Sequence, residues 1–106
     1  MDLVFKALAD SNRRAILDEL FEHDGLTLNE LCKTVSFSRQ ALSKHLGILQ
    51  KAGLIVAYFE GREKLHYLNP VPVAEIADRW ITKFAHRKVA AVAALKQALE
   101  SPDEQT

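Results

Sequence analysis

At Gly53 the apolar residues of this chain change period, and that change constrains the fold more than any other feature. From Ser36 to Lys51 the sequence SFSRQALSKHLGILQK has a helical repeat. On a wheel at ~100° per residue Leu42, Leu46 and Leu49 share one side, and Gln40, Ser43, Lys44, Gly47 and Lys51 share the other. Beyond Gly53, Leu54 to Phe59 is rich in β-branched and aromatic residues, Glu60-Gly61-Arg62-Glu63 supplies a turn, and Lys64 to Leu68 returns as a second strand. A helix with one apolar and one polar face, followed at once by a charged-tipped hairpin, is the expectation for residues 36 to 68.

The flanking segments are expected to be helical. Leu3, Val4, Ala7 and Leu8 suggest a short first helix. A second runs from about Asn12 to Glu22 with Ile16, Leu17, Leu20 and Phe21 as its apolar stripe, capped by Asp10 or Ser11 and ended by Asp24-Gly25. Thr27 and Glu30 form a capping box for a short third helix through Leu31 to Val35, and Ser36 or Ser38 starts the fourth. Asn69-Pro70 and Pro72 close the hairpin. From Val73 to about Leu99 the apolar positions Val73, Ile76, Ala77, Trp80, Phe84, Ala91, Leu95 and Ala98 lie within about 100° of one another, as one long amphipathic helix or two with a break near Arg87-Lys88. The expected class is therefore mainly α with a small β-hairpin wing. It forms a single domain over residues 1 to 100, with a terminal helix over about 71 to 99 and a flexible polar tail, SPDEQT, at 101 to 106.

Charge is segregated. The chain of 106 residues has net charge zero, yet residues 1 to 32 hold seven acidic side chains against three basic ones, residues 33 to 64 hold six basic against two acidic, and the remainder balances. The excess of four positive charges therefore coincides with the polar-faced helix and hairpin. Helix, helix, short helix, turn, polar-faced helix and hairpin is the order of a winged helix-turn-helix, in which the last helix enters the DNA major groove. Arginine bonds bidentately to guanine, glutamine to adenine, and serine to base or phosphate, so Arg39, Gln40, Ser43 and Lys44 are suited to reading bases. Ser38 and His45 join them as candidate contacts, His45 from the flank of the apolar stripe, and the wing offers Arg62 and Lys64 to phosphates or a minor groove. Gly47, lying on the polar face, is expected either to let a groove wall come close or to be a neutral residue on an exposed face.

Other classes are disfavoured. No nucleophile is paired with a base, no glycine-rich phosphate loop is present, and the four histidines, at 23, 45, 66 and 86, are scattered, so no enzyme and no cofactor are expected. The N-terminal MDLVFKALAD does not read as a signal peptide and no apolar run approaches the ~20 residues of a membrane span, so a cytoplasmic protein is expected. Cys32 is the single cysteine, expected as a buried inert thiol, with a redox-responsive role as the alternative. A winged-helix module that binds protein instead of DNA is the other alternative, distinguished by lacking salt-dependent affinity for duplexes.

Three stretches resemble the ArsR/SmtB family of bacterial winged-helix repressors. FKALADSNRRAILDEL is similar to its opening signature, LTLNELCKTVSFSRQALSKHLGILQKAGLIV to its helix-turn-helix, and EGREKLHYLNP to its wing and exit, covering about Phe5 to Trp80. The resemblance implies a homodimer that binds an inverted repeat in its own promoter region and releases it on a signal, small-molecule or redox. The base-reading positions it implies fall on Arg39, Gln40, Ser43 and Lys44. The expected dimer surface comprises Leu3 and Val4 of the first helix with Val73, Ile76, Trp80, Phe84, Ala91 and Leu95 of the last, because this stripe exceeds what one small domain needs for its own core.

The chain departs from the family at the metal sites. Metal-sensing members carry ELCxC on the third helix, whereas here Glu30-Leu31-Cys32 is followed by Lys33 and Thr34. The family's other site needs a carboxylate and a histidine two apart on the last helix; Asp78 is followed by Arg79 and Trp80, and His86 has no partner at that spacing. A lone thiolate does not meet the ligand count of a soft-metal site, so no metal is expected. Ser11 replaces the family's usual proline, and His66 takes the wing's usual tyrosine position beside Tyr67.

Overall fold

The computed structural model describes residues 1 to 100, so the expected tail lies outside the described residues. The elements are α1 (Asp2–Leu8), α2 (Ser11–Glu22), α3 (Leu28–Cys32), α4 (Arg39–Lys51), β1 (Ile55–Glu60), β2 (Glu63–Leu68), α5 (Val71–Ile76), a π-helical segment (Ala77–Ile81) and α6 (Thr82–Leu99). Among the described residues the chain divides into two compact units, one up to Pro72 and one from Val73.

The helix starts of the first unit are set by side-chain caps. Asp10 accepts from the backbone N–H of Asn12 at 2.8 Å and of Arg13 at 3.1 Å, satisfying donors at the start of α2 that have no partner within the helix. Thr27 and Glu30 form the expected reciprocal box on α3, and Ser38 accepts from Ala41 N–H at 3.1 Å to start α4. α3 stops earlier than expected. Thr34 Oγ1 donates to the Leu31 carbonyl at 2.8 Å while the backbone N–H groups of Lys33 and Thr34 close tight turns, so the chain leaves the helix before Val35.

α4 ends in a Schellman arrangement, with Gly53 at φ +78°, its N–H on the Gln50 carbonyl and the Leu54 N–H on the Leu49 carbonyl. This turn converts the helical period into the strand period within two residues. β1 and β2 pair antiparallel from Ile55↔Leu68 to Glu60↔Glu63, joined by Gly61-Arg62. Gly61 has φ +64° and Arg62 does not have positive φ, the combination of signs found in a type II′ hairpin turn.

The core of the first unit contains Val4, Ala7, Ile16, Leu17, Leu20, Leu31, Leu42, Leu46, Leu49, Leu54 and Ile55. The three leucines expected on the inner side of α4 are all there. Phe21 is not, being 75% exposed; on a wheel it falls about 40° beyond Leu17, past the edge of the buried stripe. His66 is the core's buried polar residue at 3% exposure, its Nδ1 2.8 Å from the Leu26 carbonyl. The backbones of Leu26 and His66 also bridge, which adds a one-residue third strand to the wing. Gly25, at φ +79°, makes this approach possible, since a Cβ there would stand 3.2 Å from the Tyr67 ring.

In the second unit α6 runs unbroken through Arg87 and Lys88. The irregularity lies earlier, in the π-helical segment, where the Thr82 N–H reaches back five residues to the Ala77 carbonyl and its hydroxyl donates to the same oxygen at 2.9 Å. Val73, Trp80, Phe84, Val89, Val92, Leu95 and Leu99 are exposed. The Arg79 guanidinium lies 5.6 Å from the centroid of Trp80 and the Lys88 ammonium 5.4 Å from that of Phe84, cations over aromatic faces. The side chains of Ile81, Ala85 and His86 lie outside the described residues.

Candidate nucleic-acid interface

The outer face of α4 carries charge without acid. Its sequence, RQALSKHLGILQK, contains no carboxylate, and Arg39, Gln40, Ser43, Lys44, Gly47 and Lys51 are all exposed. Burial of Leu42, Leu46 and Leu49 fixes the helix rotation that presents this face. Nothing lies within 4 Å of where a Cβ would stand on Gly47, so the glycine leaves a bare stretch of helix in the middle of the polar face. Among the described residues no ion pair engages Lys44, Lys51, Arg62 or Lys64.

The remaining expected contacts occupy distinct places. Ser38 is exposed, and its hydroxyl serves as the cap of α4. Arg62 sits at the hairpin tip and Lys64 on β2 opposite Phe59, both exposed. His45 is half-buried, as its place on the flank of the apolar stripe implies; its Nδ1 lies 3.3 Å from Arg13 Nη1, and its ring meets Phe37 edge-on at 5.3 Å between centroids. One ring nitrogen and one ring edge are therefore engaged within the protein. Among the expected dimer residues, Val4 is buried in its own unit at 7% exposure, because α1 turns that side onto the core, while Leu3 is exposed. Val73, Trp80, Phe84, Ala91 and Leu95 are exposed and Ile76 is half-buried.

Three residues that sequence reasoning passed over organise this region. Arg13 donates from Nε to the Ala7 carbonyl at 2.8 Å and from Nη2 to the Lys6 carbonyl at 2.9 Å, and Arg14 donates to the Leu8 carbonyl at 2.7 Å. Together they satisfy carbonyls at the end of α1, where cations are also favoured by the helix dipole. The signal was present as two adjacent arginines just beyond a short helix. Asn29 of α3 is the third, accepting from Arg39 Nη1.

Two carboxyl groups hold pKa values below the usual range. Asp10 is lowered first by the backbone N–H of Arg13, then by that of Asn12 and by the Arg13 charge. Glu30 is lowered first by the backbone N–H of Thr27 and then by its hydroxyl. Asp10 is the cap of α2, and Glu30 is the partner of the Thr27 cap in the α3 box. Cys32 is half-buried at the end of α3, and among the described residues no three histidine, cysteine or acidic side chains cluster as metal ligands. No helix is long and apolar enough to cross a membrane, among the described residues.

Residues 8 to 56 match the family model described as a helix-turn-helix domain, a span from the end of α1 into β1. The HTH-type transcriptional regulator YuzN of Bacillus subtilis is 42% identical over 86 residues, 76% of this chain and 94% of its own length. The transcriptional repressor SdpR of the same species is 31% identical over 87 residues, 82% of this chain and 94% of its own. Among solved structures, an ArsR-like transcriptional regulator from Rhodococcus sp. RHA1 superposes with a TM-score of 0.74 at 33% identity, covering 93% of this chain and 89% of that one. With the helix order, the wing and the exposed basic face of α4 all in place, the chain belongs to the ArsR/SmtB family of DNA-binding winged helix-turn-helix transcriptional regulators.

Proposed function

We propose that the protein is a dimeric repressor that binds an inverted-repeat operator and releases it on a signal, with α4 as the recognition helix. The observation that carries this reading is the outer face of α4, exposed along its length, free of carboxylates and held in rotation by three buried leucines. Arg39, Gln40, Ser43 and Lys44 read base edges from that face, Ser38 adds its exposed edge, and Arg62 and Lys64 meet the backbone from the wing. His45 contributes from the flank. The repressor action follows that of SdpR, named a transcriptional repressor.

Pairing of two copies is supported by the exposed apolar side chains Leu3 on α1 and Val73, Trp80, Phe84 and Leu95 in the second unit, with Ala91 and Ile76 in the same stripe. Two-fold symmetry puts the recognition helices about one DNA turn apart, ~34 Å. Footprinting on the gene's own upstream DNA tests this directly. The expected pattern is two protected half-sites with centres separated by about 10 base pairs or a multiple; a single protected half-site contradicts it.

A further inference from the structure

The two helices of the helix-turn-helix are tied by one side-chain hydrogen bond. Asn29 lies at the second position of α3, a helix pinned at its start by the Thr27 and Glu30 box. Arg39 is the first residue of α4, immediately after the Ser38 cap. Across the intervening turn, Arg39 Nη1 donates to Asn29 Oδ1, and both residues are exposed.

The chemistry of this pair differs from that of an ordinary surface ion pair. A guanidinium has five N–H donors in a fixed fork, so one bond through Nη1 leaves the edge formed by Nε and Nη2 free for a bidentate partner. Asparagine is neutral, so it orients the arginine without cancelling its charge. A carboxylate at the same place would orient it equally well but would compete with a phosphate or a base acceptor. An unrestrained arginine must also give up the freedom of a long side chain on binding, and fixing it beforehand reduces that loss.

We propose that Asn29 is a positioning residue for base recognition: it holds the Arg39 guanidinium at the entrance of α4 with its Nε and Nη2 edge presented to a guanine of duplex DNA. This rests on the reading of α4 as the recognition helix. Asn29 then governs discrimination between sequences while contributing nothing to the salt-dependent attraction that every duplex exerts.

The test uses the full chain and fluorescence anisotropy with two duplexes of equal length and composition, the gene's upstream sequence and a scrambled version, across a salt series. For Asn29→Ala the expected result is a loss of about 3- to 10-fold in affinity for the upstream duplex, the scale of one hydrogen bond. Affinity for the scrambled duplex and the salt slope stay at wild-type values. Asn29→Asp weakens both duplexes and flattens the salt slope, because the pair now neutralises Arg39. In an Arg39→Ala background, Asn29→Ala has no further effect. If wild type discriminates between the duplexes and Asn29→Ala discriminates equally well, the proposal is overturned while the DNA reading stands; an undiminished Asn29→Ala effect in the Arg39→Ala background overturns it too. If wild type does not discriminate at all, the reading of α4 fails and takes the proposal with it.

Discussion

Arg13 Nη1 of α2 lies 3.3 Å from His45 Nδ1 of α4, and the same guanidinium donates to the carbonyls of Lys6 and Ala7 at the end of α1. One side chain thus connects α1, α2 and α4. Its side chain is only 14% exposed, and its bonds to Ala7 and His45 are part-buried while the one to Lys6 is exposed.

Removing Arg13 should therefore cost more than removing its neighbour. Arg13→Ala removes the side-chain donor of the Ala7 and Lys6 carbonyls, of which Lys6 keeps the Ala9 N–H, and deletes aliphatic packing, an expected loss of about 1 to 3 kcal/mol. Arg14→Ala removes one exposed bond and should cost less than about 1 kcal/mol. Urea unfolding followed by circular dichroism distinguishes the two by their midpoints. Arg13→Lys should not rescue, because a compact ammonium cannot reproduce the planar fork that serves Lys6, Ala7 and His45 together.

Acid should weaken the starts of α2 and α3. The folded pKa values of Asp10 and Glu30 lie below their unfolded ones, so the unfolded chain binds more protons in the acid range. The stabilisation is fully present above the unfolded carboxyl values and is lost as pH falls through the lowered folded ones. Thermal melts between pH 7 and pH 3 should show a falling midpoint that is shallower in Asp10→Asn and Glu30→Gln. An equally steep fall in both variants would place the acid sensitivity elsewhere.

Gly47→Ala separates folding from binding. A Cβ at this position meets nothing within 4 Å, and alanine is favoured over glycine inside a helix by about 1 kcal/mol, so the variant should be more stable. The added methyl nevertheless stands on the face proposed to approach DNA. Higher melting temperature together with weaker operator binding is the expected combination; higher stability with unchanged binding would remove Gly47 from the interface.

Phe84 tests pairing of two copies. It is 63% exposed on α6, and a charge at the centre of a paired apolar stripe is strongly unfavourable. Light scattering should give a dimer for wild type and a monomer for Phe84→Glu at the same concentration. A wild-type monomer would contradict the proposed assembly.

Most of the fold was legible because it rests on local rules. Asp10, Thr27 and Ser38 cap where their oxygens suit, Leu42, Leu46 and Leu49 are buried because their spacing puts them on one side, and Gly53 ends α4 because left-handed backbone favours glycine. The exposed face of α4 was legible for the same reason. What escaped depends on contacts distant in sequence. His66 is buried because Leu26, forty residues away, bridges its backbone and takes its ring nitrogen. His45 turns toward Arg13 and Phe37, and Arg39 toward Asn29, pairings that no periodicity encodes. The π-helical segment at Ala77–Ile81 also lacked any proline or glycine to mark it.

Whether the outer face of α4 reads DNA is decided by binding of the gene's own upstream duplex to wild type, Arg39→Ala and Lys44→Ala across a salt series. Log affinity should fall linearly with log salt for wild type, and each variant should lose at least about tenfold, since a base or phosphate contact is deleted in both copies of the proposed dimer. Variants that bind the duplex as tightly as wild type, with the same salt slope, would contradict it.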